Sequence, residues 1–129
     1  MRLVQKAVIK NGDKFLILLR GPGAKKFPYY WDFPGGKLEL NEEPFSGIER
    51  EVMEETSLKV KALKVIGIYE FDFENKGEKT HRFTVYSTKI ISGNIKISFE
   101  HIEFRWATKE EILKLKIEPF MKAYFEEHR

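Results

Sequence analysis

Residues 36–58 read GKLELNEEPFSGIEREVMEETSL, and they combine a helical pattern of apolar residues with a group of carboxylates. The apolar side chains that recur at spacings of three and four residues are Phe45, Ile48 and Val52. Such spacing places them on one buried face of a helix, and Pro44 suits the first helical position, where its missing N–H costs nothing. The segment therefore predicts a helix over residues 44–56.

Three carboxylates of this helix, Glu51, Glu54 and Glu55, fall within roughly 100° of arc beside the apolar stripe. Gly47 lies one turn earlier on the same side and leaves room there. Like charges at these spacings destabilise a helix by roughly 0.2–0.5 kcal/mol per pair, so the pattern favours a bound cation. Hard oxygen ligands select Mg²⁺ or Mn²⁺. The alternative is a solvated glutamate face without a ligand, which is common on a chain rich in Glu.

The segment resembles the signature of the Nudix hydrolases, G-x5-E-x7-R-E-U-x-E-E-x-G-U, in which U is aliphatic. Chance would produce such a match in roughly 1 of 10⁵ chains of this length. The eight matching positions, of nine, are Gly36, Glu42, Arg50, Glu51, Val52, Glu54, Glu55 and Leu58. Ser57 departs from the second glycine, so we expect it to adopt a left-handed conformation at roughly 1–2 kcal/mol or to reshape the turn. Asn41, where relatives often have glycine, tolerates left-handed geometry.

This resemblance implies a set of site residues. Glu51, Glu54 and Glu55 would bind one or more Mg²⁺ ions, with the Gly36 carbonyl as a further ligand. Bound ions of this kind neutralise charge that develops on phosphate oxygens, and they lower the pKa of a bound water. Arg50 keeps its proton and suits a bidentate pair, so we expect it to brace the helix carboxylates or Glu42.

The general base in this family is sometimes a carboxylate of the signature and sometimes one from a distant loop. The loop candidate here is Glu100, with Glu103 behind it, shortly before the end of a strand at Trp106. Plain solvation of Glu100 is the alternative. His101 titrates in the right range for a base, but the sequence offers it no partner, and we expect it at the surface.

Aromatic side chains can hold a nucleobase by stacking, although most aromatics of a small domain belong to its core. The candidates that we assign to substrate binding are Tyr30, Phe33, Phe73 and Phe83. Lys25 and Lys26 either meet phosphates or form a solvated loop, and we favour the solvated loop.

The resemblance favours a nucleoside triphosphate pyrophosphatase of the MutT-like type, which releases a nucleoside monophosphate and pyrophosphate. About sixteen residues beyond Leu58, near Phe73, the chain lacks the Pro of ADP-ribose pyrophosphatases and the Tyr of dinucleoside polyphosphate hydrolases. Those two activities remain alternatives. A different alternative is a non-catalytic Nudix module that senses a nucleotide or RNA, but such a module would be expected to lose signature carboxylates, which this chain keeps.

The rest of the chain predicts one α/β domain over residues 1–129, with a mixed β-sheet sandwiched between helices, as the Nudix resemblance implies. Residues 3–9 and 14–20 suggest a hairpin around Gly12, and the second run is apolar on both faces, which predicts a central strand. The remaining predicted elements are strands over 59–71 and 80–91 with a hairpin tip at Asn75-Lys76-Gly77, extended pieces over 95–106, a capping box from Thr108 to Glu111, and a last helix after Pro119.

Composition narrows the function classes. The net charge of +3 is too small and too mixed for a protein that coats nucleic acid, so we expect a small nucleotide as partner and no stable nucleic-acid partner. The chain has no cysteine, which excludes disulfides and thiolate metal sites. Without a signal-peptide pattern or a long apolar run, we expect a cytoplasmic protein that does not enter membranes. Because Nudix relatives often form dimers, a homodimer is among the expected assemblies.

Overall fold

The computed structural model describes residues 1–73 and 80–129, so the predicted tip at Asn75-Lys76-Gly77 lies outside the described residues. The elements in chain order are β1 (Arg2–Val8), β2 (Lys10–Asn11), β3 (Lys14–Arg20), β4 (Trp31–Asp32), β5 (Gly35–Lys37), α1 (Pro44–Thr56), β6 (Lys59–Asp72), β7 (Thr80–Ser92), β8 (His101–Thr108), α2 (Lys109–Ile112) and α3 (Pro119–Glu127). In the part of the chain that is described, no helix is long and apolar enough to cross a membrane.

The strands form two four-stranded sheets. Sheet A has the order β5-β1-β7-β6 and is mixed, because β1 and β7 run parallel while its other neighbours are antiparallel. Sheet B is antiparallel, and its strand β3 pairs with each of the other three strands, β2, β4 and β8. The predicted α/β class is confirmed. The predicted pairing of residues 3–9 with 14–20 is wrong, because β1 joins sheet A and only β2 forms the short hairpin with β3 through Gly12 (φ 63°).

Strand β3 is the central strand that its sequence predicted. Phe15 and Ile17 enter one hydrophobic core, which α3 covers, and Leu16 and Leu18 enter the other, which α1 covers. The side chains alternate between the two faces because the period of a strand is two residues. Burying each such side chain contributes about 1.5–3 kcal/mol, so α1 is held firmly against the sheets.

The loop before α1 is shaped by backbone conformations that few residues tolerate. Gly35 has a φ of 146° and lies against the β1 backbone at Gln5, where a Cβ could not fit. Asn41 has a φ of 62°, as anticipated for this residue type. At the other end of α1, Ser57 takes the left-handed conformation (φ 65°, ψ 9°), the first of the two outcomes expected for it. These turns fix the acidic face of α1 against β5.

Candidate active site

Glu51 lies directly over Gly36 of β5. A Cβ built on Gly36 would be 2.5 Å from Glu51 Oε2 and 2.9 Å from Oε1, so the missing side chain makes room for the carboxylate. The Glu51 side chain is only 14% exposed. Burial raises its pKa, while the positive charge of Arg50 opposes that shift. Glu51 and Gly36 are far apart in sequence, and they come into contact because β5 pairs with β1 beneath α1.

Glu55 is buried one turn further along α1. Its Oε1 accepts a hydrogen bond of 2.8 Å from the backbone N–H of Gly35. Burial raises the pKa of Glu55 to about 8, against the lowering effect of Lys6 and of that hydrogen bond. Glu51 thus lies against Gly36 and Glu55 against Gly35, which are adjacent residues of β5.

Arg50 holds the carboxylates around it, as predicted. Its Nε donates to Glu42 Oε2 at 2.6 Å and its Nη2 donates to Glu42 Oε1 at 3.0 Å, which makes a bidentate pair. Its Nη1 lies 3.0 Å from Glu54 Oε2 and 3.2 Å from Glu51 Oε1. The hydrogen bond from Arg50 is the main reason that the pKa of Glu42 is lowered. One guanidinium therefore braces both Glu42 and two helix carboxylates.

Gly47 lets α1 approach β1 closely. A Cβ at this position would lie 2.7 Å from Gln5 Oε1 and 2.9 Å from Glu42 Oε1. Gln5 cannot easily retreat, because its Nε2 donates to Pro44 O at 2.7 Å and to Tyr86 Oη at 2.8 Å. The predicted room at this glycine is thus occupied by buried protein groups rather than by a ligand.

The carboxylates fit a hard divalent cation, although they do not close around a position for one. Glu54 is 57% exposed, and its carboxylate contacts Arg50 Nη1, the same nitrogen that contacts Glu51. Across residues 1–73 and 80–129, no three His, Asp or Glu side chains are arranged as a metal-ligand set. Burial raises the pKa values of Glu51 and Glu55, and oxygen donors of this type suit Mg²⁺ or Mn²⁺.

A buried charge cluster beside these carboxylates was missed by sequence reasoning. Lys6 Nζ lies 2.7 Å from Asp32 Oδ2, and Arg20 Nη1 lies 3.1 Å from the same oxygen. Burial raises the pKa of Glu118 to about 9, with the negative charge of Asp32 as the next cause. Lys6, Arg20 and Glu118 line the same cleft as Glu55. The available signal was a lysine within the apolar run of β1, which requires a buried partner.

Two of the predicted loop residues reach this cleft. Glu100 is exposed at its edge, and its backbone carbonyl accepts the N–H of Gly21 at 3.1 Å. His101 also lines the cleft but is only 7% exposed, so its predicted surface position is wrong. Burial lowers its pKa to about 4, which leaves the imidazole neutral at pH 7. Glu103 instead pairs with Arg105 at 3.2 Å.

The four predicted substrate-binding aromatics separate into two groups. Phe73 and Phe83 line the cleft, and Phe27, which was not selected, joins them with its ring centroid 5.4 Å from that of Phe73. Tyr30 packs against Phe27 at 5.1 Å and does not line the cleft. Phe33 is fully buried in the core. Phe83 borders the cleft but is only 4% exposed and belongs to the same buried cluster. The assignment of Phe33 to substrate is therefore corrected, because its side chain points into the protein and not into the cleft.

The NUDIX domain family model matches residues 2–128 of the chain. The protein therefore belongs to the Nudix family, as the signature indicated. Members of this family generally use a divalent metal ion. The carboxylate oxygens of Glu51 and Glu55, which lie at Gly36 and Gly35, are suitable ligands for such an ion.

Individual relatives agree with this assignment. A MutT protein from Methanosarcina mazei Go1 has a similar structure, with a TM-score of 0.86 and 29% identity over 98% of this chain and 91% of that one. A MutT-like protein from Streptomyces ambofaciens is 32% identical over 108 residues, which are 81% of this chain and 62% of that protein. A diphosphoinositol polyphosphate phosphohydrolase 2 from Mus musculus is 41% identical over 63 residues, or 49% of this chain and 32% of that protein. The chain thus spans between about a third and two thirds of these two curated relatives.

Proposed function

We propose that the protein is a Mg²⁺-dependent pyrophosphohydrolase that cleaves a nucleoside triphosphate to a nucleoside monophosphate and pyrophosphate, as in clearance of the nucleotide pool. The observation that carries this proposal is that the carboxylates of α1 and a group of aromatic rings open into one cleft of about 1760 Å³. A polyphosphate and a base could occupy such a cleft together.

Glu51, Glu54 and Glu55 are the proposed metal ligands, with the Gly36 carbonyl beside them. When bound, Mg²⁺ neutralises charge on the phosphates and lowers the pKa of a water molecule. The protein contributes the fixed position of these groups. The Glu51 carboxylate packs against the backbone of Gly36, and the Glu55 carboxylate accepts a hydrogen bond from the Gly35 N–H. Glu54 is exposed, so its side chain can turn from Arg50 toward the other two at little cost.

Arg50 is a proposed positioning residue. Its bidentate pair with Glu42 anchors the guanidinium to the loop before α1, and its third nitrogen then orients Glu51 and Glu54. An arginine retains its charge at any pH relevant here, so this brace persists while the carboxylates change partners.

Glu100 is the proposed general base. It is exposed at the cleft that holds the carboxylates of α1, which gives it access to a water molecule there. Glu103 has less support, because its carboxylate already pairs with Arg105. A carboxylate of α1 remains the alternative base, and the two cases differ in how strongly Glu100→Gln affects turnover.

The two sides of the cleft suggest how a nucleotide binds. Phe27 and Phe73 offer rings for a base, since base–aromatic stacking contributes about 1–3 kcal/mol. Phe83 is buried and stacks on Phe120, so it supports these rings from below. The cations that line the same cleft, and that suit phosphates, are Arg2, Lys25, Lys26 and Lys37. Hydrolysis of ADP-ribose, a dinucleoside polyphosphate or a diphosphoinositol polyphosphate is the alternative. An inositol phosphate has no base to stack, so the aromatic rings favour a nucleotide.

The deciding experiment is a substrate panel with Mg²⁺ that measures pyrophosphate and phosphate release separately. Nucleoside triphosphates should release pyrophosphate, and Glu54→Gln should lower turnover by roughly 10²–10⁴-fold with the fold intact. Glu110→Gln, an exposed glutamate on α2, is the matched control and should leave the rate unchanged. Nucleotide binding without turnover across the panel would favour a sensing module, and cleavage of ADP-ribose or a dinucleotide alone would replace the proposed substrate.

A further inference from the structure

Phe99 is the most exposed aromatic side chain within the described residues, and it borders the cleft that holds the carboxylates of α1. Its side chain is 95% exposed, whereas the next most exposed aromatic residue, Tyr29, is 53% exposed and lies outside the cleft. Aromatic side chains usually contribute to a fold through burial. A single exposed apolar residue is nevertheless common on protein surfaces, so the way in which Phe99 is held decides what its exposure means.

The segment between β7 and β8, which carries Phe99, is anchored to the body of the protein. Ile95 and Ile97 of this segment pack against the hydrophobic core beneath α1. The backbone N–H of Ser98 donates to the Glu55 carbonyl at 3.0 Å, at the end of α1 where the proposed metal ligands lie. Two apolar side chains of one short segment are therefore placed against the core, while the third is presented to the cleft.

The same segment also contacts the loop that carries Phe27. The backbone N–H of Gly21 donates to the Glu100 carbonyl at 3.1 Å. An added Cβ on Gly21 would lie 3.2 Å from that oxygen, so the two backbones are in close contact. Phe27 follows Gly21 by six residues and lines the cleft. The segment that carries Phe99 thus connects the end of α1 to the loop that presents a ring for a base.

We propose that Phe99 is a specificity-determining residue that contacts the nucleobase of the substrate, in addition to Phe27 and Phe73. This inference rests on the proposed cleavage of nucleotides. A phenyl ring recognises a base through stacking, which every base allows because each has a π face. The ring offers no hydrogen-bond donor or charge to a phosphate chain. Phe99 therefore contributes to the affinity for a nucleoside triphosphate and not to the affinity for inorganic tripolyphosphate.

The exposure of Phe99 separates this role from a structural one. A side chain that buries almost none of its surface contributes little to stability, so Phe99→Ala should unfold at the same temperature as the wild-type chain. Phe83 differs in this respect, because it borders the same cleft but is only 4% exposed and packs in the core. A loss of nucleotide affinity in Phe99→Ala is then a loss of contact with the ligand.

Calorimetric binding in the presence of Mg²⁺ tests the inference, with a non-hydrolysable nucleoside triphosphate and inorganic tripolyphosphate as the two probes. Phe99→Ala should raise the Kd for the nucleotide by roughly 5-fold to 100-fold and leave the Kd for tripolyphosphate unchanged. Phe99→Tyr keeps the ring and should retain the wild-type affinity. Ile102→Ala is the matched control, because Ile102 is an exposed apolar residue of β8 that does not line the cleft, and it should change neither Kd.

The outcomes against this inference are distinct from those against the proposed function. An unchanged nucleotide Kd in Phe99→Ala, or an equal loss of affinity for tripolyphosphate, would overturn the role of Phe99. If the wild-type chain also cleaves nucleoside triphosphates in that case, the proposed function stands and only the inference fails. A wild-type chain that binds tripolyphosphate but no nucleotide would overturn both.

Discussion

Gly36→Ala should displace the Glu51 carboxylate while leaving the stability of the fold nearly unchanged. The added Cβ would lie 2.5 Å from Glu51 Oε2, whereas ordinary contact begins near 3.4 Å, so the carboxylate must retreat by about 1 Å. A displacement of that size in a catalytic group costs about 10²-fold in rate, which is about 2.7 kcal/mol of transition-state stabilisation. The backbone itself is not strained, because Gly36 is not among the residues with positive φ.

The assay is kcat/KM for a nucleoside triphosphate with Mg²⁺, together with the thermal midpoint of unfolding. Gly36→Ala should lose about 10²-fold in kcat/KM and change the unfolding free energy by less than about 1 kcal/mol. Gly23→Ala is the matched control, because a Cβ there meets nothing within 4 Å. Adding Glu51→Asp, whose side chain is one methylene shorter, should recover part of the loss. Equal activity of the two alanine variants would refute the importance of the contact between Glu51 and Gly36.

Three further outcomes are expected. Gly47→Ala should lower the free energy of unfolding by about 1–2 kcal/mol in urea titrations, because the clash with buried side chains outweighs the gain in helix propensity of about 1 kcal/mol; a stabilised variant would show that these side chains can move. Because burial raises the pKa of Glu118 to about 9, the folded state holds a proton that the unfolded chain loses near pH 4.5, so stability should fall as pH rises between these values. Glu118→Gln should reduce that fall by more than about 1 kcal/mol, and identical pH profiles in urea unfolding would contradict it. Phe73→Ala should raise KM for nucleotides with a smaller change in stability, whereas Phe33→Ala should destabilise by about 3–5 kcal/mol; the reverse pattern in kinetics and unfolding would exchange their roles.

Local features of this chain could be read directly from its residues. The helix over 44–56 has the predicted bounds because its apolar spacing, its initial proline and its left-handed end at Ser57 all act within a few residues of one another. The capping box from Thr108 to Glu111 is confirmed for the same reason. Arg50 also met its predicted partners, since a residue eight positions away and one four positions away lie within reach of a helix and its preceding loop.

Pairings between distant residues could not be read in this way. Strand β1 looks equally suited to a hairpin with β3 or to a place in another sheet, and its parallel pairing with β7, about eighty residues away, decides between them. The aromatic residues show the same limit. Phe33 and Phe73 are the same residue type, and only the tertiary structure places the first side chain in the core and the second at the cleft.

The sequence by itself determined the helix, its carboxylates and the family, because these depend on residue type and spacing along a few turns. The tertiary structure alone decided which carboxylates meet. Glu51 and Glu55 lie at Gly35 and Gly36 only because β1 aligns β5 beneath α1, and Lys6 becomes a buried cation only because Asp32 is brought to it from another sheet. Burial and its effect on charge depend on all the surrounding chain, and no local pattern specifies that surrounding.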